Sequence, residues 1–221
     1  MASNADSARV MNQLMIYLGF GSNGYIAQGG DVGSDLARRM AKFHPECKAV
    51  HLNHLMLDPR AVLNSMESVT DTEMTNLEKM QRFWQTGYAY GMEHGSRPAT
   101  IGLVLVGEKF LEWADDSEPI PLDTILRMVT LYWFTSTFPR SIYPYRWFAR
   151  EPGRSYSGFD EKPFGYSAFE KEVSNLPKAW TENLLPKLIR YDHEKGGHFP
   201  ALEQPGLFVK DLEDFATRAG H

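Results

Sequence analysis

Between residues 25 and 53 the chain runs strand, glycine turn, helix, strand, an order that few folds accommodate. Tyr25-Ile26-Ala27-Gln28 is a short apolar run that enters Gly29-Gly30-Asp31-Val32-Gly33-Ser34. Residues 35–43 have helical spacing closed by Pro45, and Ala49-Val50-His51-Leu52-Asn53 is a second short strand. Two such strands joined through a helix cannot pair as a hairpin. They are the repeating unit of a parallel sheet, so the expected class is α/β.

The flanking segments set the organisation. Residues 8–18 carry Val10, Met11, Leu14, Met15 and Leu18 on one side and read as an amphipathic helix ending at Gly19. The middle of the chain is helical in pattern. Thr70 and Glu73 form a capping box ahead of Met74, Leu77, Trp84 and Tyr88. A further helix starts at Pro121, presents Leu122, Ile125, Leu126, Val129 and Trp133, and is expected to stop at Pro139. After residue 155 the α/β pattern returns: strand from Lys162 to Phe169, helix from Lys178 to Leu184, strand from Lys187 to Tyr191, and a last helix from Leu207 to Thr217. The expected layout is core at 1–57, helical lid at 58–155, and core again at 156–221.

Composition narrows the function. The net charge is −5 and Lys plus Arg number 23 against 28 acidic residues, which leaves no basic footprint for nucleic acid. No apolar run approaches the roughly 18 residues that span a bilayer, and MASNADSARV is too polar for a secretory signal. One cysteine, Cys47, allows neither an internal disulfide nor a cysteine-based zinc site and fits a reducing, cytoplasmic setting. No cofactor and no metal are expected. The 13 Phe, 10 Tyr and 5 Trp concentrate between residues 83 and 169, which reads first as core packing for most of them and also suits a lid over an apolar pocket.

Two constellations carry chemistry. Gly29-Gly30-Asp31-Val32-Gly33 has the form of a nucleophile elbow with Asp31 where serine hydrolases carry Ser. Glycines suit a turn so sharp that side chains would meet the neighbouring strand and helix. The N–H groups that follow, beginning with Val32, and the helix dipole would stabilise negative charge. Late in the chain Gly196-Gly197-His198-Phe199 lies on a loop before the last helix, where a triad would place its base. The acid between them could be Asp160, Glu161, Glu170, Glu172, Glu182 or Asp192. Asp192 and Glu194 stand too near His198 in sequence, and the end of the strand at Phe169 favours Glu170 or Glu172. His51 and His54 flank a strand, but a metal reading of that pair lacks a carboxylate at useful spacing.

The same residues resemble a known family. Gly24 to Ser34, Tyr132-Trp133-Phe134-Thr135 with Phe138-Pro139-Arg140, Ile142-Tyr143-Pro144-Tyr145-Arg146, Lys162-Pro163-Phe164-Gly165-Tyr166-Ser167, and Gly196 to Phe199 with Ala201-Leu202-Glu203 together resemble epoxide hydrolases. The match is to the microsomal-type branch, which includes soluble fungal enzymes, within the α/β-hydrolase superfamily. It covers nearly the whole chain from about residue 8.

The resemblance implies an α/β-hydrolase fold and an enzyme that opens apolar epoxides to vicinal diols, with water as co-substrate. It makes Asp31 the nucleophile, His198 the base for the ester intermediate, and Glu172 the acid that orients His198. It gives the lid two tyrosines that hold the epoxide oxygen, at Tyr90 and Tyr145, with Tyr88 and Tyr143 as rivals two residues away. Two phenols argue against a dehalogenase, because halide release calls for N–H donors. The family has first strands and an HGxP loop before the elbow, whereas Met1 stands only 30 residues before Asp31. Its lid also carries an apolar helical segment where Ile101 to Val106 runs straight into Gly107-Glu108-Lys109-Phe110. The expectation is a truncated chain with an incomplete sheet, prone to self-association as a homodimer or larger. Its alternative reading is a catalytically inactive remnant that binds apolar ligands.

Overall fold

The computed structural model describes residues 3–55, 69–96, 108–142, 145, 162–185 and 187–220. Of the expected site residues, Tyr143, Asp160 and Glu161 lie outside them, as does the junction at residues 101–107. In chain order the elements are α1 (Asn4–Met15), β1 (Tyr25–Gly29), α2 (Asp31–Phe43), β2 (Cys47–Leu52), α3 (Asp71–Arg82), α4 (Ala89–Ser96), α5 (Glu108–Glu112) and α6 (Leu122–Thr135). There follow α7 (Phe138–Ser141), β3 (Phe164–Phe169), α8 (Lys178–Leu184), β4 (Leu188–His193), α9 (Pro200–Glu203) and α10 (Pro205–Arg218).

The four strands form one sheet in the order β1-β2-β3-β4, and every pair is parallel. The helices α3 to α7 fall between β2 and β3 in the chain. The core lies on the sheet, where Val50, Leu52, Phe164, Tyr166 and Ala168 are buried with Trp180 of α8. Among the described residues no helix is long and apolar enough to cross a membrane.

Two helices depart from expectation. α1 begins four residues earlier, because Ser3 accepts the Asp6 N–H at 3.1 Å while the Asp6 carboxylate accepts the Ser3 N–H at 2.8 Å. Of its expected inward side only Met15 packs on the core. Ala8 and Asn12 face inward, while Val10, Met11, Leu14 and Leu18 are 45–57% exposed. The small and polar side packs on α2 because it supplies specific bonds: Asn4 donates to Asp35 at 2.7 Å, Tyr25 donates to Asn12, and Asn12 donates to Glu46 at 3.2 Å. α6 begins after Pro121 as expected but stops at Ser136, whose φ of 50° ends the helical hydrogen bonding. Pro139 belongs to the next helical turn. Of the expected apolar face only Ile125 is buried, and Trp133 is 60% exposed.

These faces have a consequence for behaviour in solution. β1 is an outer strand among the described residues, and α1, packed on α2, leaves an apolar side exposed. An open strand edge and exposed apolar surface each invite association. Residues 1–221 are therefore expected to elute as oligomer or aggregate when light scattering follows size exclusion. A monodisperse, cooperatively melting 25.2 kDa species would contradict this.

The carboxyl end of the sheet is tied to α10 by a buried polar cluster. Ser167 donates to Asp211 and lies 3.2 Å from His51 Nε2, and His193 Nε2 meets the same Asp211 carboxylate at 2.6 Å. Burial pushes the His51 imidazole down to about 4, so it is neutral there. The cluster contains Ser, His and Asp side chains, but Ser167, His51 and Asp211 are buried, His193 is half-buried, and the cluster links strands to a helix.

Candidate active site

β1 ends at Gly29 and α2 starts at Asp31, so the chain reverses over one residue. A Cβ on Gly29 would stand 2.2 Å from the Gly33 carbonyl oxygen, and one on Gly30 would stand 2.7 Å from the Asn53 side chain. Nothing lies within 4 Å of the corresponding point on Gly33, so the expected crowding holds at two of the three glycines. Asp31 takes φ 44°, a left-handed conformation that a non-glycine residue adopts only under constraint. The turn lifts its side chain to the carboxyl end of the sheet, where it is 48% exposed. Val32 follows in the first turn of α2, with its N–H on the same side as the helix N-terminus.

Glu172 and His198 lie on the segments that follow β3 and β4. Pairing of β3 with β4 continues past both strand ends: Glu170 N–H donates to the His193 carbonyl at 2.9 Å and Lys171 N–H to the Gly196 carbonyl at 3.1 Å. Glu172 then turns inward, with its N–H on the Phe169 carbonyl at 3.1 Å. Its carboxylate oxygens meet His198 Nδ1 at 2.9 and 3.0 Å, and both side chains are buried. His198 Nε2 points the other way and lies 3.8 Å from the Asp31 carboxylate. The other candidate acids go elsewhere. Glu170 pairs with Lys171 at 2.8 Å, Asp192 with Arg190 at 2.7 Å, and Glu182 approaches Lys178 on the surface.

The His198 loop is held by partners that the sequence pattern did not single out for the purpose. His198 N–H donates to the Trp113 carbonyl at 3.0 Å, and Gly196 N–H donates to Asp115 at 2.9 Å. The Glu203 carboxylate accepts three backbone N–H groups, from Asp115, Gly197 and Phe199, at 2.7 to 2.8 Å. Gly196 has φ +95°, and a Cβ on Gly197 would stand 2.6 Å from the Trp113 carbonyl. The Gly196-Gly197-His198 run thus lies directly against the segment after α5.

Charge organises these three side chains. Burial opposes the imidazolium of His198, but the Glu172 and Asp31 carboxylates on either side outweigh it and raise the group. Burial also opposes ionisation of Glu172, yet the His198 and His54 rings beside it hold it well below the usual carboxylate range. Asp31 is likewise lowered: desolvation is overcome by the bond and charge of His198 and by the charges of His54 and Lys109. These shifts all favour a carboxylate on either side of an imidazolium in the free site.

His54 was missed as a partner of this group. It follows β2, is buried, and brings Nδ1 to 3.6 Å from Glu172 while its ring lies edge-on to His198 at 5.6 Å. The carboxylate that sequence spacing denied to the His51–His54 pair thus comes from the far half of the chain, while His51 turns to α10. One ligand-type atom from each of His54, Glu172 and His198 lies within 4.8 Å of the others. Because Glu172 and His198 already meet at hydrogen-bond distance, an ion there would have to displace the proton between them.

Two lid phenols lie within reach of the Asp31 charge. Tyr145 is buried and its ring lies 5.9 Å from that of Tyr90, which contacts Trp113 at 5.3 Å. The two hydroxyls are hydrogen-bonded to each other. Both phenols are raised, by burial first and then by the Asp31 charge, so they stay protonated at neutral pH. Tyr88 packs on Trp84 at 4.8 Å. Lys109, which periodicity gave no reason to single out, sits among these rings.

No family model matches the chain. The Aspergillus niger epoxide hydrolase structure superposes with a TM-score of 0.84 at 40% identity, covering 98% of this chain and 58% of that one. A Dothistroma septosporum protein provisionally named an epoxide hydrolase is 39% identical over 226 residues, or 96% of this chain and 52% of its own length. Epoxide hydrolase 1 of Sus scrofa is 30% identical over 254 residues, or 95% of this chain and 54% of its own. The chain therefore spans about half the length of the curated relatives it matches. By sequence and by fold, the chain is a homologue of the epoxide hydrolases of the α/β-hydrolase superfamily.

Proposed function

We propose that the chain opens apolar epoxides to vicinal diols through an ester on Asp31. The observation that carries this reading is the line of three side chains: Asp31 on a strained turn, His198 Nε2 at 3.8 Å, and Glu172 on the other ring nitrogen at 2.9 Å. An epoxide carbon placed against the ionised Asp31 carboxylate is attacked, and the C–O bond breaks with its electron pair on oxygen. Tyr90 and Tyr145, protonated above Asp31, donate to that oxygen and one gives it a proton. The Asp31 ester is then hydrolysed at its carbonyl by a water that gives a proton to His198, while Glu172 holds the imidazole and stabilises the imidazolium formed. The Val32 N–H faces the oxyanion that forms on the ester carbonyl.

The charge state turns over with the chemistry. The free Asp31 carboxylate helps keep His198 protonated. Once Asp31 is esterified that charge is gone, so His198 releases its proton more readily and becomes a base when one is needed. In this reading residues 1–57 and 156–221 supply the core and residues 58–155 the lid. The free, buried Cys47 suits a cytoplasmic setting, and the apolar side of α1 is the face through which two copies would meet.

A single turnover in ¹⁸O-water with enzyme in excess tests the proposal. The first diol formed should contain the unlabelled oxygen of Asp31, with label appearing in the Asp31 carboxyl. Labelled diol from that first turnover would mean direct attack by water and would overturn the ester route.

A further inference from the structure

Lys109 is a cation inside the aromatic cover of the site. Its Nζ donates to the Tyr145 hydroxyl oxygen at 2.8 Å and lies 4.6, 4.9 and 5.0 Å from the ring centroids of Tyr90, Trp113 and Tyr145. Among the described residues no carboxylate comes within ion-pair distance of it, and the one carboxylate whose charge acts on it is Asp31. The remaining titratable groups that face it are Tyr90, Tyr145 and His94. His94 is buried and pushed down to about 4, so it is neutral and supplies no counter-charge.

This geometry fixes the direction of the Tyr145 proton. The phenol oxygen accepts from Lys109, so its own hydrogen must point elsewhere, toward Tyr90 or toward a ligand oxygen above Asp31. We propose that Lys109 is the positioning residue that aims the Tyr145 hydroxyl at the epoxide oxygen and supplies the proton that Tyr145 gives up. The inference rests on the Asp31 ester reading and extends it.

The step balances. Asp31 attacks carbon, the C–O pair moves to the epoxide oxygen, and that oxygen takes the Tyr145 proton. The tyrosinate formed lies within hydrogen-bond distance of the ammonium and takes a proton from it, leaving a neutral phenol and a neutral amine. One negative charge is lost at Asp31 as one positive charge is lost at Lys109. Burial already lowers Lys109 and the Asp31 carboxylate opposes that lowering. Esterification removes the opposing charge, so the ammonium is most ready to give up its proton as the ester forms. Ester hydrolysis releases one proton, which His198 takes from the water, and the amine recovers its charge with the proton that His198 gave to solvent when Asp31 was esterified.

The sign of the pH effect follows. Ring opening needs the ammonium, so its rate should fall as pH rises through the Lys109 titration. The first step is isolated in a His198→Ala background, where adduct on Asp31 is timed by intact mass with styrene oxide as probe. Lys109→Met should slow adduct formation about 100-fold and remove the alkaline fall. Lys109→Arg, which stays charged, should keep the alkaline fall away and recover part of the rate. Parent-like adduct formation in Lys109→Met, or an alkaline fall that persists in it, overturns the proposal while leaving the Asp31 ester intact. If His198→Ala with Lys109 present gives no adduct, the ester reading itself fails and this inference falls with it. A substrate-free measurement stands beside these, by NMR titration of ¹⁵N-labelled lysine with Lys109→Met for assignment. Asp31→Asn should move the Lys109 titration to lower pH, and an unchanged titration overturns the coupling.

Discussion

Replacing His198 by alanine is expected to leave an enzyme that reacts once and stops. Asp31 needs no base for its attack, because the neighbouring charges hold it ionised well below neutral pH. The imidazole matters afterwards, when water must lose a proton to reach the ester carbonyl. His198→Ala should thus give a stoichiometric adduct of epoxide mass by intact-mass spectrometry, mapped by peptide analysis to Asp31. Steady turnover should fall by about 10³-fold or more. Asp31→Ala should give neither adduct nor diol. The pH response has a definite sign. Hydrolysis needs neutral His198, so ester accumulates as pH falls through the titration of His198 in the ester form. That titration lies below the one in the free enzyme, because the Asp31 charge that raises His198 has been neutralised. An adduct on any other residue, or turnover that survives loss of Asp31, would remove the covalent mechanism.

How much of this was legible in the sequence depends on how local its cause is. The Asp31 turn was legible because its constraint is backbone space over five residues, and the required glycines are visible as letters. The parallel order of the strands was legible for a similar reason: a crossover between short apolar runs allows little else. The acid was not decided by spacing. Glu170 and Glu172 differ only in how the chain turns after Phe169, and that turn is set by hydrogen bonds to the end of β4 and the loop after it, from Glu170 to His193 and from Lys171 to Gly196. His54 and Lys109 gave no signal for these roles, since His54 meets Glu172 and His198, and Lys109 meets Tyr145, through packing of segments more than 30 residues away. α1 shows the converse failure. Its periodicity announced a helix with an apolar side, but periodicity does not say which side meets the sheet. The polar bonds of Asn4 and Asn12 decided that, and the Val10–Leu14–Leu18 side faces out.

Removing both lid hydroxyls is expected to abolish ring opening while sparing the fold. The protonation of Tyr90 and of Tyr145 is tied to the Asp31 charge, and their hydroxyls bond to one another. Without a proton donor the epoxide oxygen would leave as an alkoxide in an aromatic, poorly solvated site. Tyr90→Phe or Tyr145→Phe should each slow adduct formation in the His198→Ala background by about 10²-fold, a usual cost of losing one oxyanion donor. The double change should leave almost no adduct, although its effect need not equal the product of the singles, because either phenol can reorient when the other is lost. Tyr145→Phe should have the larger effect, since it also strands the Lys109 ammonium without its acceptor. Tyr88→Phe, whose ring packs on Trp84, is the internal control and should alkylate at close to the parent rate. If Tyr88→Phe does the damage instead, or if the double variant alkylates as fast as either single, the two phenols are not the donors that open the ring.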